Sequence, residues 1–125
     1  MIAMGKALTG TNAYHAGLSA EEAVARDYQR RGLTVAAQRW RGRAGEIDLI
    51  LRDEAGLVFV EVKKSRDFAR AAQRITRRQI QRICLSAEEF LAREPRGSLT
   101  PMRFDVALVD QVGRVQIIEN AFGQD

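Results

Sequence analysis

Two short segments hold residues suited to gripping a hard cation. Gly45-Glu46-Ile47-Asp48-Leu49-Ile50 and Val60-Glu61-Val62-Lys63 alternate apolar and polar residues with period two, the pattern of β-strands. Between them, Asp53-Glu54-Ala55-Gly56 has the composition of a turn. A hairpin centred there sets Asp48 opposite Glu61 and Glu46 opposite Lys63. It gathers Ile47, Leu49, Leu51, Val58, Val60 and Val62 on the other face. Like charges directly opposite each other cost roughly 0.2–1 kcal/mol, a cost that a cation between them relieves. Carboxylate oxygens are the ligands Mg²⁺ takes, in near-octahedral geometry with several waters retained. Lys63 lies two residues from Glu61 and shares its face. The competing reading is a solvated hairpin face laced by salt bridges, with Glu46 paired to Lys63.

The elements that position these residues follow from the rest of the chain. Ser19-Ala20-Glu21-Glu22 has the form of a capping box opening a helix that runs to about Arg31, with Gly32 ending it. Residues 1–17 are expected to be a flexible tail, and 18–125 a single domain. Leu33 to Gln38 reads as a first strand, with Arg39-Trp40-Arg41-Gly42-Arg43 at its exit, followed by the carboxylate hairpin. A second helix is predicted to start between Arg70 and Thr76 and to end before Pro95, with Ile80, Ile83, Ala87 and Leu91 as its apolar stripe. Arg103 to Val109 and Arg114 to Glu119 complete the strands. The predicted order is α-β-β-β-α-β-β. The crossover between the third and fourth strands implies parallel neighbours, and the whole an α/β fold with a mixed five-stranded sheet.

The charge balance narrows the partners. The chain has 20 Lys and Arg against 16 Asp and Glu, and the excess is concentrated. Between Lys64 and Arg82 the basic residues are Lys64, Arg66, Arg70, Arg74, Arg77, Arg78 and Arg82, with Asp67 as the sole acid. Arg70, Arg74, Arg78 and Arg82 are spaced four apart, so one helix would carry them as a stripe with Arg77 beside it. Arg41 and Arg43 extend the basic surface around Trp40. Guanidinium forks donate two hydrogen bonds to one phosphate, which favours a nucleic acid over an anionic membrane that would require large apolar anchors. No apolar run reaches the roughly 18–20 residues of a membrane helix, and residues 1–17 lack the pattern of a signal peptide. A lone cysteine, Cys84, excludes an internal disulfide and fits a reducing cytoplasm. Cys84 is expected in the core of the second helix, and His15 is expected to have no role.

Taken together, Trp40-Arg41, the Gly45–Ile50 and Val58–Lys63 segments, Arg103-Phe104-Asp105-Val106 and Asn120-Ala121-Phe122 resemble the small bacterial YraN proteins in order and spacing, from about Gly17 to Phe122. The chain departs from them at Lys64-Ser65, Ala69 and Arg78. That family is similar to archaeal Holliday junction resolvases and to PD-(D/E)XK nucleases. The resemblance implies a restriction-endonuclease-like core and a metal-dependent endonuclease that hydrolyses DNA phosphodiester bonds, on branched or structured DNA. It places Asp48 and Glu61 as ligands of Mg²⁺ or Mn²⁺ and Lys63 as the assisting catalytic residue. The acidic residue of the first helix falls on Glu22, which a helix cap would equally explain, and Glu46 is a further candidate ligand. Resolvases of this kind act as symmetric dimers, so a homodimer is also implied. The alternative is a nucleic-acid-binding module that keeps the fold without turnover.

Overall fold

The structure, a computed structural model, describes the backbone of residues 9–122 and the side chains of residues 19–122. The elements run α1 (Thr9–Arg30), β1 (Thr34–Arg41), β2 (Glu46–Arg52), β3 (Leu57–Lys64), α2 (Phe68–Gln73), α3 (Arg77–Leu91), β4 (Met102–Val109) and β5 (Val115–Ile118), with a 3₁₀ turn at Gly97–Leu99. The strands form one mixed sheet in the order β1-β2-β3-β4-β5. β3 and β4 are parallel, and every other pair is antiparallel. This is the expected α/β architecture, with the connection between the parallel strands made by two helices instead of one.

The turn at Asp53–Gly56 builds the central hairpin. Asp53 Oδ1 accepts the N–H groups of Ala55 and Gly56, each at 2.8 Å, and Asp53 N donates to Gly56 O at 2.9 Å. Gly56 is required by close approach, because a Cβ there would run into the Pro101 carbonyl that accepts the Leu57 N–H. The register is the one the turn predicts: Leu49/Val60, Ile50/Phe59, Leu51/Val58 and Arg52/Leu57.

Both faces of the sheet are covered, so the competing reading of a solvated hairpin face does not hold along the paired part of the hairpin. Leu49, Leu51, Val58 and Val60 pack under α1 against Val24, Ala25 and Tyr28. Ile50, Leu57 and Phe59 pack against Ile83, Ala87, Phe90 and Leu91 of α3. Ile47 joins this second cluster and not the one containing Leu49. It lies beyond the last paired step of β2 with β3, where that ladder no longer imposes simple alternation.

Two helix predictions are also corrected. α1 begins at Thr9, so Ser19 and Glu22 lie inside a helix and do not open one. A capping side chain is needed only where backbone donors lack an upstream carbonyl, and here residues 9–17 continue the helix. The predicted tail therefore divides into this helical part and residues 1–8, which, like the side chain of His15, lie outside the described residues. The predicted second helix begins at the far end of its expected range, and a short separate helix, α2, precedes it. Asp67 caps α2 by accepting Arg70 N at 2.8 Å. Thr76 and Gln79 form a reciprocal capping box that starts α3 afresh, with both bonds at 3.1 Å. Of the predicted stripe, Ile83, Ala87 and Leu91 are buried, together with Ser86 and Phe90, and Ile80 is half-exposed.

A buried carboxylate ties the layers together. Asp105, on β4, is fully buried and accepts the Tyr28 hydroxyl at 2.7 Å, Arg103 Nε at 3.0 Å and Asn120 N at 2.9 Å. Asn120 has φ 52, a left-handed conformation that asparagine tolerates, and the chain beyond it brings Phe122 onto Phe104 with ring centroids 5.3 Å apart. Replacing Tyr28 by Phe removes one donor from a carboxylate that has no access to water. We expect Tyr28→Phe to destabilise the protein by about 1–3 kcal/mol, read as a lower urea midpoint with an unchanged m-value.

Candidate functional site

The ladder between β2 and β3 stops at Leu49/Val60. At the next step the side chain of Asp48 reaches β3, where its Oδ2 accepts the Val62 N–H at 2.8 Å. Glu61, the neighbour of Val62, is buried on the same strand, and Lys63 Nζ stands 2.9 Å from its Oε2. Asp48, Glu61 and Lys63 therefore meet where the two strands part, with the Glu61 and Lys63 side chains only 9% and 15% exposed. Burial pushes the Asp48 carboxyl up to about 7. The charge of Glu61 adds to this, the Val62 N–H opposes it, and Glu21 and Lys63 make smaller contributions upward and downward.

Glu21, not Glu22, is the α1 acid turned toward this group. Burial pushes the Glu21 carboxyl up, the Arg39 guanidinium pulls it down, and the charges of Glu46 and Glu61 push it up further. Glu22 is exposed, and no hydrogen bond or ion pair joins it to the site among the described residues. Helical phase carries the distinction: Glu21 precedes the buried Val24, Ala25 and Tyr28 by three, four and seven residues and so shares their face, whereas Glu22 does not.

Glu46 does not pair with Lys63 as the hairpin pattern suggested. Arg39 bridges it instead, lying 3.8 Å from Glu46 and 3.4 Å from Glu21. Register explains the change, because Glu46 is paired across β1 to Arg41 and Lys63 has a closer partner on its own strand. Arg39 has φ 50 within a strand, a conformation costing a side-chain-bearing residue roughly 1–2 kcal/mol.

The basic residues fall into a different arrangement from a single-helix stripe. Arg70 is on α2, Arg74 is its C-cap, and Arg77, Arg78 and Arg82 are on α3. Arg74 Nη1 donates to Lys64 O at 2.9 Å, binding the helix break to the end of β3. Arg70 lies 3.7 Å from Asp67. The Arg82 side chain lies over Gly45, where a Cβ would meet its Cδ at 2.6 Å, so α3 delivers an arginine beside the start of β2. The side chains of Arg41, Arg43, Arg77 and Arg78 are exposed, and none has an ion-pair partner among the described residues. Trp40 is half-buried and packs edge-on against Phe90 at 5.3 Å, the placement of a core residue. Cys84 is half-buried against the α3 cluster, and burial raises its thiol above the usual range.

The fold and site define a small α/β protein with a mixed five-stranded sheet, in which Asp48, Glu61 and Lys63 come together where β2 and β3 part. The chain belongs to the Uncharacterised protein family UPF0102, which it matches over residues 20–109. It is 64% identical to a UPF0102 protein of Cereibacter sphaeroides strain KD131, covering 92% of this chain and 98% of that relative. It is 61% identical to one of Ruegeria pomeroyi, covering 91% and 93%. It is 44% identical to one of Dinoroseobacter shibae, covering 95% and 89%. Among the described residues, no helix is long and apolar enough to cross a membrane.

The raised Asp48 carboxyl has a stability consequence with a definite sign. The folded state holds this proton more tightly than the unfolded chain does. The stabilisation is therefore complete below about pH 3.8 and is lost as pH rises through about 7. Asp48→Asn keeps an acceptor for the Val62 N–H and removes the charge. We expect the variant to match the parent near pH 3.5, below the unfolded-state value, and to melt at a higher temperature at pH 8.5, the difference there being on the order of a few kcal/mol. Thermal unfolding followed by circular dichroism at the two pH values checks this.

Proposed function

We propose that the sheet is a restriction-endonuclease-like core and that the protein is a metal-dependent endonuclease acting on DNA phosphodiester bonds, on branched or structured DNA. The observation that carries the reading is the meeting of Asp48, Glu61 and Lys63 where β2 and β3 part. The donor set fits a hard divalent cation. Two carboxylates are drawn out of water, and the charge of one holds the other's proton on, an arrangement that Mg²⁺ or Mn²⁺ neutralises with oxygen ligands. Asp48 and Glu61 would hold the ion, and Glu21 and Glu46 would extend the negative field at its edge. The ion would supply Lewis acidity toward a phosphate oxygen and lower the pKa of a water.

The chain's own groups have separable roles. The Val62 N–H fixes the Asp48 carboxylate, so the acid is positioned before any ligand arrives. Lys63, held by Glu61, places a positive charge beside the two carboxylates, where charge would develop on phosphoryl oxygens. Arg82 beside Gly45 and the exposed Arg77, Arg78, Arg41 and Arg43 supply phosphate donors on the α3 side.

A second reading, a nucleic-acid-binding module without turnover, is favoured by one observation. Among the described residues, no three His, Cys, Asp or Glu side chains are gathered closely enough to hold an ion by themselves. A substrate phosphate would have to complete the ligand set.

Two measurements separate these readings. Incubated with Mn²⁺ and branched, nicked or single-stranded DNA, the protein should cut at least one substrate. Lys63→Met should cut it about 10²–10³-fold more slowly, and Glu61→Ala should not cut it. Equal cleavage by Glu61→Ala overturns the assignment. In calorimetry with DNA present, Mg²⁺ binding should be lost in Asp48→Asn while DNA affinity remains. Mg²⁺ heats that are absent from the parent protein would favour the non-cleaving module.

A further inference from the structure

On the α1 side, away from α3, lies an open cleft of about 520 Å³ whose walls include Arg26, Asp27 and Arg30 of α1, Phe68 at the start of α2, and Gly113 and Arg114 of the β4–β5 turn. Three arginines face it against one aspartate, and that aspartate is already shared by Arg30 at 3.5 Å and Arg31 at 3.4 Å. Arg26 is exposed and has no ion-pair partner among the described residues.

Arg114 is a positioned arginine. Asp110, buried at the end of β4, accepts Arg114 N at 2.8 Å, Arg114 Nε at 2.6 Å and Val112 N at 3.1 Å. Burial pushes the Asp110 carboxyl up, but the Arg114 and Val112 donors more than offset this and hold it below the usual range. Only Nε of the guanidinium is used, so both terminal nitrogens remain for a ligand, on a side chain whose orientation is already fixed. A preorganised fork of this kind matches the oxygens of a phosphate.

The cleft also lies at the carboxyl ends of the parallel pair β3 and β4, where open α/β sheets bind their ligands. Lys64 pairs with Val109 there, and Asp110 follows directly. Phe68 is five residues from Lys63, so the two α-carbons are no more than about 18 Å apart. Since phosphates recur about every 3.4 Å of rise along a duplex strand, no more than about five would span the carboxylates and the cleft.

We propose that this cleft is a second phosphate-binding site, with Arg26, Arg30 and Arg114 gripping the sugar–phosphate backbone of the same nucleic acid that crosses Asp48 and Glu61. It rests on the nucleic-acid reading above and extends the track to the face opposite the α3 arginines. Substrate is thereby held on both sides of the carboxylates.

The test uses fluorescence anisotropy with a labelled 20-nucleotide single strand and the corresponding duplex, in EDTA so that cleavage has no part in the result. Arg26→Ala with Arg114→Ala should weaken single-strand binding at least about tenfold and flatten the salt dependence by about 1.4 in log–log slope. Arg26→Glu alone, which leaves the Asp110 turn intact, should also weaken it. If both variants bind like the parent while Arg77→Ala with Arg78→Ala binds weakly, the cleft proposal is overturned and the nuclease reading stands. A parent protein that binds neither probe overturns both.

Discussion

At the parting of β2 and β3, backbone pairing is exchanged for a side chain. Asp48 accepts the Val62 N–H that a continued ladder would have engaged. Because a buried N–H left without a partner is costly, the strands can separate there only if something else satisfies it. The same bond draws the Asp48 carboxylate onto the strand that carries Glu61 and Lys63. One hydrogen bond thus opens the sheet, orients the first acid and sets it beside the second. The rest of the fold keeps this junction rigid. The Asp53 turn fixes the hairpin register, α1 and α3 seal the two faces, and Ser86 on α3 donates to the Gly45 carbonyl at 3.0 Å just before β2 begins.

Such a junction concentrates negative charge, and the structure balances it unevenly. Lys63 neutralises Glu61 at 2.9 Å, while Arg39 is shared between Glu21 and Glu46 at longer distances. Asp48 has a neutral N–H donor, and burial, with the charge of Glu61, pushes its carboxyl up; burial raises the Glu21 carboxyl as well, despite the Arg39 guanidinium beside it. Elsewhere, buried carboxylates are fully matched. Asp105 and Asp110 each take several donors and serve as structural anchors.

The legible parts were those governed by local chemistry. Asp53-Glu54-Ala55-Gly56 named its turn, and the turn set the strand register without reference to any other element. All five strands lie within about three residues of the bounds their local patterns predict. The helix errors share one cause. Ser19 and Glu22 form a valid capping pair only if the chain before them is not helical, and Thr76 and Gln79 form a working one because the chain turns out of α2 just before them. The motif is the same in both places. Whether neighbouring residues supply backbone carbonyls decides which pair is used, and that is not a property of four residues.

By itself, the chain determined that acids and a lysine would alternate with apolar residues on two strands joined by a tight turn, because side-chain period and turn geometry are local. It also determined a surplus of arginine between Lys64 and Arg82. Tertiary structure decided what those residues face. Helix α1, packing Val24 and Tyr28 into the sheet, rotated Glu21 inward and Glu22 outward. Helix α3 brought Arg82 over Gly45. The return of β5 beside β4 set Arg114 across a cleft from Arg26, a juxtaposition of residues 88 positions apart in the chain. Each of these depends on how apolar faces meet across long sequence separations, and burial, unlike periodicity, is a property of the assembled whole.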